Sequence, residues 1–152
     1  MTIARQLEPE LLPPLVDHEL ELHLNERTLG DTRTRPPTYR FEMRVGGELA
    51  GSISLRLGHS EYIEKYAGHI GYGVEPIFRG HRFAARACQL VFPVARRHGF
   101  RSLWITCNPE NVASRRTCEI VGGALVDIVD VPPMIDLYRE GDRQKCRYRV
   151  TL

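Results

Sequence analysis

The alternation of apolar and polar positions predicts a chain that is mostly β-strand, with two helices in its second half. Apolar side chains on every second residue predict strands over residues 19–24, 38–45, 48–57, 69–74, 103–107, 124–131 and 146–152. Apolar residues at helical spacing predict one helix over 84–98, and the segment 108–114 is expected to open a second helix that ends near Gly122-Gly123. This order, antiparallel strands followed by strand–helix–strand–helix–strand, is typical of an α+β fold in a single domain over residues 1–152.

Four features interrupt this pattern. Residues 1–17 mix leucine and proline and do not predict a long helix, and residues 25–37 predict a polar loop. Residues 58–67 predict a polar connection with a short helical turn. Pro93 falls inside the first helical pattern, where its missing N–H predicts a kink or one lost backbone hydrogen bond.

The composition narrows the class of protein. A chain of 152 residues with 42% apolar residues has the size of one globular domain, and its net charge of +2 gives no argument for nucleic acid as a partner. We find no apolar run of membrane-spanning length and no signal-peptide core. The 4 cysteines are widely spaced without a Cys-x-x-Cys pair, which favours reduced thiols in the cytoplasm over a metal site or disulfides.

A basic turn joins the strand at 69–74 to the first helix. Its sequence is Arg79-Gly80-His81-Arg82-Phe83-Ala84, and the preceding strand has glycines at 71 and 73 that leave one strand face almost bare. The first amides of a helix have no partner within it, and the helix dipole makes that end positive. Gly80 allows a sharp turn and its neighbours add donors, so the segment predicts a pyrophosphate site. A solvated basic surface is the alternative.

The segment from Gly71 to Ala84 resembles the acetyl-CoA signature of the GNAT superfamily of N-acetyltransferases. Arg79, Gly80 and Ala84 match the common pattern Arg-Gly-x-Gly-x-Ala, and Arg82 replaces its second glycine. Residues 103–107 and the following Asn108-Pro109-Glu110-Asn111-Val112-Ala113-Ser114 are similar to the family's next strand and its Asn-x-x-Ser helix start. The resemblance implies acetyl-CoA as cosubstrate and a mainly antiparallel sheet flanked by helices, in which the fourth and fifth strands splay apart.

The resemblance also implies which residues bind the cosubstrate. The pantetheine arm would bond the backbone of Gly73 and Val74, with the Val74 amide on the thioester carbonyl oxygen. Asn108, Asn111 and Ser114 would bond the arm as well, although a turn and a helix N-cap are the alternative roles for these residue types. The pyrophosphate would be held by the backbone amides of Arg79, Gly80, His81, Arg82, Phe83 and Ala84.

The proton chemistry departs from the family pattern. Cys118 occupies the position of the tyrosine that many members use as general acid; its thiol is a candidate acid, and a core residue is the alternative. Thr106 lies where some relatives carry a catalytic glutamate. Glu75 and His69 share a strand face with the glycines and are the candidate bases, with surface or core roles as alternatives. Tyr138 is a candidate to replace the missing acid.

Three functions fit these residues. The first is an acetyl-CoA-dependent N-acetyltransferase for a small amine or a protein N-terminus, with a homodimer implied by analogy. The second is a non-catalytic acyl-CoA sensor or scaffold, which the missing tyrosine and glutamate favour. The third is a structural protein without a ligand.

The short segment before residue 38 has room for one short helix at most, where GNAT proteins generally place one or two. The arginines Arg27, Arg33, Arg35 and Arg56 favour an acidic acceptor, with exposure to solvent, usual for arginines in loops, as the alternative.

Overall fold

One sheet runs through the described part of the chain, which comprises residues 12–28, 30 and 36–152 of the computed structural model. The eight strands within these ranges are β1 (Leu15–Asp17), β2 (Leu20–Thr28), β3 (Thr38–Val45), β4 (Glu48–Arg56), β5 (Ile70–Val74), β6 (Ser102–Cys107), β7 (Ala124–Asp130) and β8 (Gln144–Thr151). They lie in the order β1-β2-β3-β4-β5-β6-β8-β7, and each neighbouring pair is antiparallel except β5 and β6. The predicted α+β, mainly antiparallel fold is confirmed.

Helices connect the strands in the second half of the chain. α1 (Phe83–Arg97) joins β5 to β6, α2 (Val112–Ile120) joins β6 to β7, and the short α3 (Asp136–Arg139) precedes β8. A π-helical turn spans Tyr62–Ala67 and a 3-10 turn spans Pro76–Phe78. Because β5 and β6 are parallel, they require a long crossover, and α1 supplies it. Within the ranges given above, no helix is long and apolar enough to cross a membrane.

The hydrophobic core lies between α1 and one face of the sheet. One stripe of α1, which includes Ala87 and Val91, is fully buried. The strand residues Leu22, Phe41 and Ile53 are also fully buried in the same core cluster. Pro93 lies on the exposed side of α1, and the helix continues through it without that N–H.

The other face of β3 and β4 carries polar side chains. Arg40, Glu42, Ser52 and Arg56 alternate along these strands with the buried core positions. The connection between β2 and β3 is short, and most of it (residues 29 and 31–35, which include Arg33 and Arg35) lies outside the described ranges. Among the described residues, no helix lies between β2 and β3.

The start of the chain differs from the sequence prediction. Residues 15–17 form a strand, β1, that pairs with β2 through Leu15↔Leu22 and Asp17↔Leu20. Three residues are too few to show a strand period, so the pattern of apolar positions does not predict β1. Residues 1–11 lie outside the described ranges.

The predicted loop at 25–37 is wrong for its first residues, because β2 continues to Thr28. The register between β2 and β3 shifts between Leu24 and Glu26, so Asn25 forms a bulge. Beyond the bulge, Glu26 lies opposite Arg40, an oppositely charged pair that favours strand pairing. Polar composition alone therefore predicts a loop where cross-strand pairing produces a strand.

Candidate active site

The sheet opens into a wedge between β5 and β6. β5 pairs with β4 along its whole length, from Gly51↔Val74 to Leu55↔Ile70. With β6 it shares a single paired position, Ile70↔Ile105. Residues 71–74 consequently make no ladder hydrogen bonds with β6, so their backbone groups on that side are not paired within the sheet. This is the splay expected between the fourth and fifth strands of the sequence prediction.

A pocket of about 280 Å³ lies at this wedge. We call it the wedge pocket. Its lining combines side chains from β4, β5, the π-helical turn and the start of α2, among them Arg56, Tyr62, Tyr72, Cys107, Asn108 and Ser114. The two sequence motifs, the glycine-containing strand and the Asn108–Ser114 segment, therefore meet at one cavity.

Asn108 is one of the lining residues, and its side chain has a buried acceptor without a partner. Its Nδ2 donates to Asp142 Oδ1 at 2.8 Å, which fixes the orientation of the amide. Its Oδ1 is buried and has no hydrogen-bond partner among the residues that the structure describes. Burial of a polar atom without a partner costs free energy, so this oxygen is a site where a ligand N–H would be stabilised.

Two hydroxyl groups meet across the wedge. The Tyr72 hydroxyl of β5 lies 2.7 Å from Ser114 Oγ of α2. Asn111 Oδ1 accepts a hydrogen bond from the Ser114 amide at 3.1 Å, so Asn111 acts as the N-cap of α2. Burial raises the pKa of Tyr72 well above its ordinary value, so the phenol keeps its proton and remains a donor at neutral pH.

Cys118 lies behind this hydroxyl pair, inside the core. Its side chain is fully buried. A hydrogen bond with Cys107 and the burial itself raise the pKa of the Cys118 thiol above its ordinary value. The residue is outside the lining of the wedge pocket. This environment favours the alternative reading of Cys118 as a core residue.

The basic turn forms the other end of the wedge. Gly80 and Arg82 both have left-handed backbone conformations, with φ of +94° and +58°. Arg82 is the N-cap of α1, makes no side-chain capping bond, and is followed by a first turn without an acidic residue. The amides of Phe83 and Ala84 thus remain available at the positive end of the helix dipole. His81 is exposed beside them, and Arg79 Nε donates to Val74 O at 3.1 Å.

Glu75 lies outside the wedge pocket. It is exposed at the end of β5, and its amide donates to Ala50 O at 2.8 Å. It lines a separate depression of about 350 Å³ on the polar face of the sheet, together with Gly73, Val74 and Arg79. The strand face predicted from the glycines is therefore divided between two depressions, and Glu75 is at the end nearer the basic turn.

His69 is buried between strands, with 2% of its surface exposed. Nε2 lies 2.9 Å from Gly58 O, and Nδ1 accepts from the Trp104 amide at 2.9 Å, so the neutral ring with the proton on Nε2 satisfies both bonds. Burial lowers the pKa of His69 to about 4. The ligand atoms of His59, Glu64 and His69 lie within 4.8 Å of one another, but both ring nitrogens of His69 are already bonded to the backbone. A structural role is therefore favoured for this ring.

Comparison with known proteins identifies the family. The sequence model of the acetyltransferase (GNAT) family matches residues 3–122. The chain belongs to the GNAT family. The recognition made from the two motifs is thereby confirmed, as is acetyl-CoA as the cosubstrate that the family uses. No curated protein matches the sequence of this GNAT chain.

Solved GNAT structures share the fold. The microcin C7 self-immunity acetyltransferase MccE, in complex with acetyl-CoA and AMP, is 16% identical with a TM-score of 0.60, over 76% of this chain and 61% of MccE. The acetyltransferase from Salmonella typhimurium that modifies the N-terminal serine of ribosomal protein L7/L12 is 20% identical with a TM-score of 0.57, over 76% of this chain and 64% of that one. Mycobacterium smegmatis RimJ, in complex with CoA-disulfide, is 20% identical with a TM-score of 0.59, over 75% of this chain and 53% of RimJ. The GNAT chain thus spans about three fifths of the length of such relatives.

Most residues that line the wedge pocket, Tyr72 among them, are not predicted as site residues from the sequence. In the sequence, Tyr72 is one of three apolar positions, with 70 and 74, on one face of a predicted strand. This alternation of apolar residues indicates no role for the Tyr72 hydroxyl. The signal that was available is its position between two glycines in the cosubstrate motif. Arg56 is predicted among four arginines, and the structure distinguishes it from the others by its place in the pocket.

Proposed function

We propose that this GNAT protein is an N-acetyltransferase that transfers the acetyl group of acetyl-CoA to a primary amine by direct attack in a ternary complex. The observation that carries the proposal is the wedge itself. One open strand side, residues 71–74, runs from an uncapped, cationic helix start to a pocket with an unpaired buried acceptor. A structural protein without a ligand has no use for either feature.

The residues present fit acetyl-CoA along this path. The amides at Arg79, Gly80, His81, Arg82, Phe83 and Ala84 would hold the pyrophosphate, aided by the surrounding cations. The open backbone at Gly73 and Val74 would bond the pantetheine arm. Asn108 Oδ1 needs an N–H donor, and the arm carries amides. Asn111 would act indirectly, because it caps α2 and thereby orients Ser114.

Acetyl-CoA supplies an acetyl group activated as a thioester, and the protein has two tasks around it. Backbone amides of β5, the Val74 amide first, would polarise the carbonyl oxygen. Tyr72 would donate a hydrogen bond to the sulfur that leaves, in the role that many GNAT members give to a tyrosine of the helix equivalent to α2. Its raised pKa makes it a hydrogen-bond donor, because a phenol of that pKa does not give its proton fully to a thiolate.

The acceptor amine would lose its proton to solvent. The described lining of the wedge pocket contains no histidine and no glutamate, and Glu75 and His69 lie elsewhere. Although burial opposes it, hydrogen bonds from Asn108 and Lys145 hold the pKa of Asp142 below its usual range, so it is a weak base. The rate would then come mainly from positioning the neutral amine against the thioester.

Two further assignments belong to the proposal. The four cysteines are buried and free, and this favours a reducing compartment, the cytoplasm. A homodimer stays a prediction from family analogy.

The test is calorimetric titration with acetyl-CoA and with CoA, followed by thiol release in the presence of a panel of amines. We expect binding of both ligands and release with at least one class of amine. Binding without release from any amine would favour the sensor reading, in which the fold holds acyl-CoA and does not turn over. No binding at millimolar acetyl-CoA would contradict the proposal altogether.

A further inference from the structure

Arg56 is the last residue of β4 and reaches over β5 into the wedge pocket. Its guanidinium lies across Gly71: Nη1 and Nη2 are each 3.2 Å from the position that a Cβ of residue 71 would take. Any side chain at 71 would press against the guanidinium. The glycine of the motif therefore gives Arg56 its place in the pocket.

Within the described part of the chain, the groups that accept hydrogen bonds from the Arg56 guanidinium are backbone carbonyls. Nη1 donates to Gly68 O at 3.1 Å and to Ala67 O at 3.4 Å. Among residues 12–28, 30 and 36–152, no carboxylate forms an ion pair with Arg56, and Nε and Nη2 make no hydrogen bond. Burial lowers the pKa of the guanidinium from its ordinary value, which indicates that its charge is poorly compensated.

The acidic groups around the pocket are engaged elsewhere. Asp142 Oδ2 lies 2.9 Å from Lys145 Nζ. Asp136 accepts a hydrogen bond from the Tyr62 hydroxyl at 2.9 Å. A guanidinium with two free donor groups in a small pocket matches a carboxylate, which accepts two parallel N–H bonds.

We infer that the acceptor is a primary amine that also carries a carboxylate, and that Arg56 binds this carboxylate in the wedge pocket. The inference rests on the proposed function, because the same pocket would hold the reacting amine. Tyr72 and Arg56 line one cavity of about 280 Å³, so a carboxylate bound to Arg56 would lie in the same cavity as the thioester beside Tyr72. Two kinds of molecule carry a primary amine together with a nearby carboxylate: a free α-amino acid, and a peptide whose second residue is acidic.

The experiment compares amines that differ only in the carboxylate, at saturating acetyl-CoA. One arm uses α-amino acids and their carboxamides, and the other uses peptide pairs with Asp or Asn at the second position. In at least one arm, we expect the carboxylate member to have a kcat/KM at least about tenfold higher than that of its neutral partner. The arm that shows this preference identifies the source.

Arg56→Met should lower kcat/KM for the carboxylate member by roughly 10- to 100-fold and leave its neutral partner unchanged. Arg56→Lys keeps the charge but lacks the planar guanidinium, so its kcat/KM for the carboxylate member should lie between those of the wild type and Arg56→Met. Arg44→Gln is the matched control: Arg44 lies on the same polar face but is paired with Glu42 at 2.6 Å, and its loss should leave both amines unaffected. Unchanged acetyl-CoA affinity would show that each variant is folded.

A binding measurement separates this inference from the proposed function. Calorimetry of the amino acid or peptide into the CoA-saturated protein should detect carboxylate binding that Arg56→Met removes. Equal rates and equal affinities for carboxylate and neutral amines would overturn the inference while leaving the acetyltransferase intact. An equal loss for both amines in Arg56→Met would also overturn it, since that pattern indicates a general disturbance of the pocket.

Discussion

The Tyr72 hydroxyl and Ser114 Oγ lie 2.7 Å apart, one on β5 and the other on α2. They join the two sides of the wedge where the sheet itself does not. Cys118, which occupies the position of the usual family tyrosine, is fully buried in the core. α2 lacks the usual phenol, and Tyr72 of β5 places a phenol beside α2 from the other side of the wedge.

Replacing Tyr72 with Phe should separate binding from chemistry. The change removes the donor to the leaving sulfur and retains the ring, so we expect kcat to fall by roughly 10- to 100-fold. The acetyl-CoA dissociation constant should stay within about twofold, because other groups hold the cosubstrate. Steady-state kinetics and calorimetry measure the two quantities. An unchanged kcat in a folded variant would exclude Tyr72 from the chemistry.

The control for this experiment is Tyr138→Phe. Tyr138 lies under the guanidinium of Arg143, whose Cζ is 3.7 Å from the ring centroid, and it does not line the wedge pocket. The variant should keep wild-type kcat. A large loss in Tyr138→Phe would instead support the sequence-based candidate for the missing acid.

Cys118→Ala should affect stability more than activity. The side chain is fully buried, so removing its sulfur leaves a small cavity that costs about 1–2 kcal/mol of the free energy of unfolding. We expect kcat to change by no more than about threefold, since a thiol with a raised pKa is a poor acid. Chemical denaturation and steady-state kinetics check the two values. A hundredfold loss of kcat at normal cosubstrate affinity would restore Cys118 as the acid.

Arg82 stores backbone strain at the cosubstrate turn. It has φ +58° at a position where the GNAT pattern commonly has glycine, and a left-handed conformation is unfavourable for a residue with a Cβ. Arg82→Gly and Arg82→Ala both remove the cation, but only glycine removes the strain. The free energy of unfolding of the glycine variant should be about 0.5–1 kcal/mol higher than that of the alanine variant. This difference already includes the entropic cost of ordering glycine in the folded state. Thermal or chemical denaturation of the pair measures the difference.

Acetyl-CoA binding gives a second readout of the same pair. Both variants should bind more weakly than the wild type to a similar degree, because both lose one cation near the pyrophosphate. Equal stability of the two variants would contradict the left-handed assignment at Arg82. A much weaker affinity for glycine alone would instead indicate that the strained backbone holds the amides in place.

The sequence predicts the basic turn more completely than it predicts the lining of the wedge pocket. Gly80 and Ala84 belong to a local motif, in which a turn and a helix start depend on neighbouring residues. Arg56 and Tyr72 acquire their positions through pairing of β4 with β5 and the separation of β5 from β6. Such long-range arrangements leave only an alternation of polar and apolar residues in the sequence, and alternation does not reveal which polar group will face a cavity.

The two candidate bases illustrate the same limit. His69 and Glu75 are six positions apart on one strand and share a face by alternation. In the structure, the His69 ring is enclosed by Gly58 and Trp104 from other segments, whereas Glu75 is exposed. The environment of each residue depends on partners far away in the sequence. Residue type and periodicity therefore do not predict whether such a side chain is buried or exposed.

The dependence of the rate on pH should follow the acceptor. Tyr72 has a raised pKa and both His69 and Asp142 have lowered ones, so none of these three groups titrates near neutrality. The neutral fraction of an amine rises tenfold per pH unit below its own pKa, and kcat/KM should rise with it. Two acceptors whose amine pKa values differ by about two units should show midpoints that differ by the same amount. A common midpoint near pH 6–7 for both acceptors would indicate a protein base instead.

His69 should make the fold less stable in acid. Its pKa is lowered from 6.5 to about 4 in the folded state, so between these values the unfolded chain binds more protons than the folded one. Its contribution to stability is complete above pH 6.5 and is lost as the pH falls towards 4, by roughly 3 kcal/mol in total. His69→Gln can still donate to Gly58 O and accept from the Trp104 amide, but it does not titrate. The difference in unfolding free energy between the wild type and this variant, measured from pH 7 to pH 4, should therefore shift by roughly that amount against the wild type. A constant difference across this range would mean that the ring is protonated as readily in the folded protein as in the unfolded chain, contrary to its enclosed position.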